Sequence, residues 1–177
     1  MFILATTKGH YYKLLYRVLG RRFTAGPGFR VFGSLSIKGP GRVEFGKNVT
    51  VWQHVTPWTH SVDALITVGD NTRLAGVRMG CVDVIEIGQD CIVADCRIMD
   101  SDFHSTAVNR HSPDAPVRCA PVRLGRNVWV AAAAGVLPGT TIGENSVVSF
   151  GSVCSGSFPP NVIVVGNPAR IAGKVTD

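Results

Sequence analysis

Residues 124–153 divide into five six-residue units that read LGRNVW, VAAAAG, VLPGTT, IGENSV and VSFGSV. Each unit opens with an aliphatic residue, and most units place a small residue after it. A period of six matches neither the 3.6-residue period of an α-helix nor the two-residue alternation of a flat sheet. It fits a short strand followed by a corner, with three units closing one triangular coil. The repeat therefore predicts a parallel β-helix with stacked aliphatic residues in its core.

The same unit recurs nearer the N-terminus, where copies begin at Phe45, Val68 and Ile87. Several corners have the form Gly-x-Asn, as in Gly46-Lys47-Asn48. Glycine and asparagine adopt the backbone conformations that sharp bends need more readily than other residues. The corners therefore support the interpretation of short strands joined by tight turns.

The repeat divides the chain into regions. We expect an all-β fold in which residues 42–177 form the coils and residues 1–41 form an N-terminal cap. Residues 8–22, KGHYYKLLYRVLGRR, carry apolar side chains at helical spacing and a basic opposite face, which predicts a short capping helix. Peripheral membrane contact through that basic face is the alternative. Polar and proline-rich residues interrupt the repeat at about 103–121, which we interpret as one excursion loop with a functional role.

Composition limits the partners. The formal net charge of +6 and the pI near 9.4 favour an anionic partner. The basic residues are scattered rather than clustered with aromatic ones, so we do not expect nucleic-acid binding. The five cysteines include no Cys-x-x-Cys pair, which favours buried reduced thiols in a cytoplasmic protein. The N-terminal helix leaves open a location at the inner face of the membrane.

His104 is the candidate catalytic residue. It lies where the regular coil gives way to the excursion loop, close in sequence to Asp100 and Asp102. A side chain at such a junction is exposed yet anchored by rigid strands. A nearby carboxylate can hold the imidazole tautomer and stabilise the imidazolium. We therefore expect His104, assisted by Asp102 and Asp100, to act in proton transfer.

The order of motifs resembles one known family. Four stretches carry the resemblance: IMDSDFH at 98–104, PVRLGRNVWV at 121–130, PGTTIG at 138–143 and PPNVIVVGNPAR at 159–170. Together they are similar to the hexapeptide-repeat acyltransferases. The similarity is greatest to polysaccharide and lipopolysaccharide O-acetyltransferases and to galactoside and maltose acetyltransferases. This resemblance, and not the repeat itself, implies a left-handed coil.

The resemblance also implies a reaction and an assembly. The histidine that matches His104 is the general base, which deprotonates an acceptor hydroxyl as that oxygen attacks the thioester of acetyl-CoA. The cofactor arm lies between subunits, which implies a homotrimer. The acceptor would be a sugar or glycan, with Asp83, Trp52 and Trp58 as candidate contacts. Seven residues match cofactor-binding positions: Trp129, Ala132, Phe150, Ser155, Gly156, Arg170 and Lys174.

Some residues depart from the family pattern. Residues 131–134 are four alanines where a Gly-Ala-Gly run is usual, and Phe150 replaces a small residue. N-acetylation of an amino-sugar nucleotide and a non-catalytic scaffold or binding role therefore stay open as alternatives. A zinc-dependent carbonic anhydrase, which shares the coil, needs a His-x4-His pair that this sequence does not contain, so we expect no metal site.

Overall fold

The computed structural model describes residues 2–176 of the chain, as one helix followed by short strands. The elements are α1 (Phe2–Val18), β1 (Arg22–Ala25), β2 (Arg30–Val31), β3 (Ser34–Leu35), β4 (Arg42–Phe45), β5 (Thr50–Trp52), β6 (His54–Thr59), β7 (Leu65–Val68), β8 (Arg73–Ala75), β9 (Arg78–Cys81), β10 (Val84–Ile87), β11 (Ile92–Ala94), β12 (Arg97–Met99), β13 (Val122–Leu124), β14 (Trp129–Val130), β15 (Gly135–Val136), β16 (Thr141–Ile142), β17 (Val147–Val148), β18 (Val153–Cys154), β19 (Ser157–Phe158), β20 (Val162–Val165) and β21 (Arg170–Lys174).

The strands form three sheets that run the length of the coil. The first contains β1, β4, β7, β10, β13, β16 and β19, and the third contains β3, β6, β9, β12, β15 and β18. The second contains β2, β5, β8, β11, β14, β17, β20 and the terminal β21. Strands from successive coils pair in parallel, and β21 alone among these pairs runs antiparallel to its neighbour. About seven coils result, which confirms the predicted β-helix of left-handed hexapeptide type.

The core consists of aliphatic residues stacked in register from coil to coil. Val43, Ile66, Ile85 and Val122 are partners on successive strands of the first sheet, and none is exposed to solvent. Burying each such side chain contributes about 1.5–3 kcal/mol relative to leaving it exposed. The six-residue period therefore reflects the inward-facing side chains that each side of the triangle contributes to the core.

The corner between the first and second sheets is built from a ladder of asparagines. Asn48, Asn71, Asn127, Asn145 and Asn161 all adopt left-handed backbone conformations with φ between 56° and 61°. Their side-chain amides bond to the next coil, as in the 3.0 Å contact from Asn145 to Asn161. The glycine of each corner is needed for space instead, since a Cβ on Gly46 would lie 2.8 Å from the backbone nitrogen of Asp70.

Asp90 occupies one rung of this ladder. It adopts the same conformation, with φ of 60°, and its Oδ1 accepts a 3.0 Å bond from Asn71. A carboxylate has no N–H to donate to Asn127 on the following coil. Within the described residues the ladder therefore has no link between those two rungs.

The N-terminal region differs from its predicted boundary. The helix occupies Phe2–Val18, and the first coil begins at Arg22, twenty residues before the expected start at residue 42. Phenylalanines in place of Val or Ile fill this coil, where Phe23 packs edge-on against Phe29 and Phe45. Helix α1 packs on this end of the coil through buried Tyr16, whose hydroxyl donates a 2.7 Å bond to the carbonyl of Leu35.

The excursion loop leaves the third sheet after β12 and returns to the first sheet at β13. Its base is closed by an antiparallel bridge between Ser101 and Cys119. Two backbone bonds flank the bridge, from Ala120 to Asp100 at 2.8 Å and from Asp102 to Arg118 at 3.0 Å. His104 lies just beyond this closed base.

Candidate active site

A groove of about 670 Å³ follows the outer face of the third sheet, across β6, β9 and β12. His104 lies at the end of it where the excursion loop begins, with its side chain exposed. Two other histidines, His54 and His60, line the same groove. Three of the five histidines of the chain are therefore on one face of the coil.

Phe103 determines where His104 lies. Its φ of 58° is unusual for a bulky residue and turns the chain sharply just before His104. The Phe103 ring lies 4.6 Å from that of His60. It also covers Gly80, where an added Cβ would come within 2.8 Å of Cζ of Phe103. Backbone strain of this kind is concentrated at functional sites.

Asp100 lies inside the coil, where its carboxylate stabilises the fold. It is fully buried, and its carboxylate accepts 2.8 Å bonds from the backbone N–H groups of Val82 and Asp83. The Cys81 thiol also donates to it at 3.3 Å. Burial raises the pKa of that thiol, and the Asp100 charge raises it further, so the thiol keeps its proton. The carboxylate of Asp100 is thus saturated by interior donors.

The expected assistance of His104 by carboxylates is not formed in this structure. Across residues 2–176 no hydrogen bond joins His104 to Asp100 or to Asp102. Asp102 is exposed, whereas Asp100 points into the coil. Proximity in sequence therefore misled the prediction for Asp100, because alternation along the strand turns that side chain inward.

Aromatic and basic side chains form the far end of the groove. The rings of Trp58 and His60 stack with centroids 4.7 Å apart, and Nζ of Lys38 lies 5.1 Å from the Trp58 ring centroid. Partial burial lowers the pKa of His60, and the charge of Asp100 opposes this effect. Phe103 and Gly80 were not among the predicted contacts, whereas His60 belongs to the same aromatic and histidine-rich stretch as the predicted Trp58.

The other two candidate acceptor contacts lie elsewhere. Trp52 belongs to β5 in the second sheet and stacks on Phe32 with centroids 4.0 Å apart. Asp83 lies in the turn between β9 and β10 and does not line the groove. Of the three predicted acceptor contacts, the structure brings only Trp58 together with His104.

Three predicted cofactor contacts come together at the edge of the second sheet. Trp129, Ala132 and Phe150 line a second, largely apolar groove of about 490 Å³. Trp129 is 49% exposed and Phe150 is 74% exposed. Exposed aromatic side chains of this size usually mark a binding or subunit surface.

The remaining predicted cofactor contacts lie outside this groove. Arg170 and Lys174 are exposed on β21, in the same sheet as Trp129. Ser155 and Gly156 form the turn between β18 and β19, where Gly156 has a φ of 93°. Neither turn residue lines the groove that holds Trp129.

A third groove of about 440 Å³ lies between the other two. Arg78 and Arg97 border both this groove and the one that holds His104. Ala133 lines it too, and the adjacent Ala132 lines the groove that holds Trp129. The three grooves therefore follow one another around one corner of the coil.

The described residues show neither a metal-binding cluster nor a membrane-spanning helix. Residues 2–176 contain no group of three or more side chains arranged to hold a metal ion. In the same range, no helix combines the length and apolar character needed to cross a membrane. All five cysteines are free thiols, and Cys119 is the exposed one.

Comparison with known proteins identifies the family. The family described as "Bacterial transferase hexapeptide (six repeats)" matches residues 121–156. The provisionally named lipopolysaccharide biosynthesis O-acetyl transferase WbbJ of Escherichia coli (strain K12) is 30% identical over 151 residues, which are 78% of this chain and 74% of that protein. The chain belongs to the hexapeptide-repeat acetyltransferase family.

Other relatives match over shorter stretches. The provisionally named acetyltransferase YJL218W of Saccharomyces cerevisiae is 42% identical over 57 residues, or 32% of this chain and 29% of that protein. A similarly named protein of Staphylococcus aureus is 38% identical over 65 residues, or 37% of this chain and 33% of that protein. The alignments span about a third of the length of these relatives.

Solved structures show the same hexapeptide-repeat fold. AntD, an N-acyltransferase from Bacillus cereus in complex with dTDP and coenzyme A, gives a TM-score of 0.74 at 21% identity, over 91% of this chain and 87% of that one. Acetyltransferase VCA0836 of Vibrio cholerae, complexed with acetyl coenzyme A, gives 0.60 at 24% identity, over 96% and 79%. At this level of identity the likeness establishes the fold.

Proposed function

We propose that this chain transfers an acetyl group from acetyl-CoA to a sugar hydroxyl in the synthesis of a surface polysaccharide or related glycan. One observation carries the proposal: the exposed imidazole of His104 opens onto the first of three neighbouring grooves, the last of which is the apolar groove at Trp129. Family membership supports the same reaction.

His104 acts as the general base. Its imidazole takes the proton from the acceptor hydroxyl as that oxygen attacks the thioester carbonyl carbon. The tetrahedral intermediate then collapses, the carbon–sulfur bond breaks, and the CoA sulfur recovers the proton from the imidazolium. Positioned base catalysis of this type is worth on the order of 10²–10⁴ in rate. Asp102 is the carboxylate available to stabilise the imidazolium, whereas Asp100 serves the fold.

The cofactor occupies the path from Trp129 toward His104. Trp129, Ala132 and Phe150 pack against the apolar arm, and Ser155 and Gly156 would contact the cofactor from outside that groove. Arg170 and Lys174 meet the phosphates, which an Arg guanidinium suits through paired N–H donors. The apolar residues exposed on the second sheet, such as Ile92 at 44%, are then shared with a neighbouring protomer.

We therefore also propose a homotrimer. Analytical ultracentrifugation should give a mass three times the 18.9 kDa of the chain. A monomer at all concentrations would contradict the shared cofactor site.

His104→Ala tests the function, with His111→Ala as the matched control. Both histidines belong to the excursion loop and are exposed, but His111 does not line the groove. We expect His104→Ala to lower acetyl transfer by a factor of about 10²–10⁴, while calorimetry shows unchanged CoA affinity. His111→Ala should behave as the wild type. Retained turnover in His104→Ala would refute the assignment.

Two alternatives predict different products or none. An N-acetyltransferase of an amino-sugar nucleotide uses the same geometry but yields an amide, which resists the mild alkali that cleaves an acetyl ester. A non-catalytic scaffold binds no acetyl-CoA, so calorimetry would show no heat. Mass spectrometry of products before and after alkali separates these cases.

The N-terminal helix supports a location at the inner face of the membrane. Residues 1–43 contain eight of the 18 Lys and Arg residues and none of the 12 Asp and Glu residues. Helix α1 also leaves apolar side chains uncovered, with Ile3 85%, Leu14 63% and Val18 76% exposed. Uncovered apolar groups beside cations suit an anionic lipid surface. We propose that α1 caps the coil with one face and rests on such a membrane with the other.

A further inference from the structure

The groove that holds His104 has an unusual charge. Its lining includes three cations, Lys38, Arg78 and Arg97, and no aspartate or glutamate among the described residues. All three side chains are exposed. A concave surface with only one sign of permanent charge attracts ligands of the opposite sign.

Arg78 and Arg97 are stacked in register. They are direct partners on β9 and β12, and neither forms an ion pair within residues 2–176. Like charges directly opposite each other on neighbouring strands are destabilising. Elsewhere the register avoids this cost, since Arg123 lies opposite Glu86 with a 2.7 Å contact.

The other in-register arginine pair in the chain is compensated. Arg22 and Arg42 are partners on β1 and β4. Arg22 donates a 2.8 Å bond to the carbonyl of Val62, and Arg42 lies 3.9 Å from Glu44. Arg78 and Arg97 have neither kind of partner in the structure. Their two guanidinium groups are therefore available to one anion between them.

A sugar ring fits beside these cations. The stacked rings of Trp58 and His60 offer an aromatic surface in the same groove, with Lys38 next to Trp58. Sugar rings pack well on such surfaces. If a sugar stacked on Trp58, Arg78 and Arg97 would lie between that sugar and the groove lined by Ala133.

We propose that the acceptor is an anionic sugar, bearing a carboxylate or a phosphate that Arg78 and Arg97 bind while a hydroxyl faces His104. This inference rests on the proposed function, because it names the acceptor class of the same site. The rival assignment gives both arginines to the phosphates of the cofactor, and the experiment below separates the two.

The test is a binding measurement that does not depend on turnover. Three probes share one ring: methyl β-glucuronide carries a carboxylate, glucose 1-phosphate carries a phosphate, and methyl β-glucoside is neutral. Their affinities are measured by NMR titration of the protein in its His104→Ala form, so that loss of catalysis cannot alter the result. We expect at least one anionic sugar to bind about tenfold more tightly than the neutral one, and the preferred anion identifies the source of charge.

The double variant Arg78→Gln/Arg97→Gln should abolish the preference, while its affinity for CoA stays within about twofold of the wild type. Arg123→Gln is the matched control, since it removes an arginine from a neighbouring sheet, and it should keep the preference. If neither methyl β-glucuronide nor glucose 1-phosphate binds more tightly than methyl β-glucoside, the proposal is overturned. Loss of CoA affinity in the double variant also overturns it and assigns the arginines to the cofactor.

Discussion

The substitution Asp100→Asn tests whether the carboxylate of Asp100 stabilises the fold or takes part in catalysis. The wild-type side chain accepts two backbone hydrogen bonds of 2.8 Å in a fully buried position. Asparagine keeps one acceptor oxygen and turns an NH₂ group toward the other N–H donor. Hydrogen bonds to charged groups contribute about 1.5–3 kcal/mol each, and a buried donor without a partner costs about 1–3 kcal/mol. We therefore expect the free energy of unfolding to fall by about 3 kcal/mol.

The measurement is thermal unfolding followed by circular dichroism, at one protein concentration and scan rate. For a chain of this size each kcal/mol shifts Tm by about 2–4 °C, so the expected fall is about 6–12 °C. Asp102→Asn is the control: its side chain is exposed, and its Tm should stay within about 2 °C of the wild type. Assayed well below its Tm, Asp100→Asn should retain turnover. Unchanged Tm with lost turnover would show that Asp100 takes part in the chemistry and that our structural interpretation is wrong.

Three further predictions concern the coil corners, the cofactor groove and the helix. Asp90→Asn supplies the missing donor toward Asn127 and should raise the free energy of unfolding by about 0.5–1.5 kcal/mol. Asn145→Asp loses the 3.0 Å bond to Asn161 and should lower the free energy of unfolding by a similar amount. Equal Tm values for the two variants would contradict a stabilising role of the asparagine ladder. Phe150→Ala should leave Tm unchanged, because the side chain is 74% exposed, and weaken CoA binding by about fivefold in calorimetry, with the loop variant Val108→Ala as control. Leu14→Gln should reduce cosedimentation with anionic phosphatidylglycerol vesicles, while neither protein sediments with neutral phosphatidylcholine vesicles; binding that ignores lipid charge would argue against the basic helix as the contact.

The repeat predicted the coils because each unit places one aliphatic residue inside. It failed for the first coil, where Phe23 and Phe29 replace the usual Val or Ile and Pro27 occupies a corner. There the aromatic rings fill the open end of the coil under α1, so phenylalanine occupies inward-facing positions that aliphatic residues occupy in later coils. A pattern that counts only aliphatic residues therefore places the start of the coil at residue 42, after its true start at Arg22.

A site residue could be predicted where its exposure followed from the position at which the loop begins. It could not be predicted where one had to know which face of the coil the residue occupies. His104 was found because the loop begins there. Trp52 and Trp58 were grouped because they share one short aromatic stretch, yet the six positions that separate them carry the chain to the next side of the triangle. Residues about three units apart share a face instead, which is how His60 and Arg78 come to line one groove.

The bridge between Ser101 and Cys119 has a consequence for how this protein can change. Because this bridge joins the two ends of the excursion loop, Val122 of the next coil stacks on Ile85 whatever the length or sequence of the loop between them. Insertions, deletions or exchanges among residues 105–117 would therefore leave the groove residues on β6, β9 and β12 in place. The segment can vary in length, or be exchanged with that of a homologue, while the coil keeps its register.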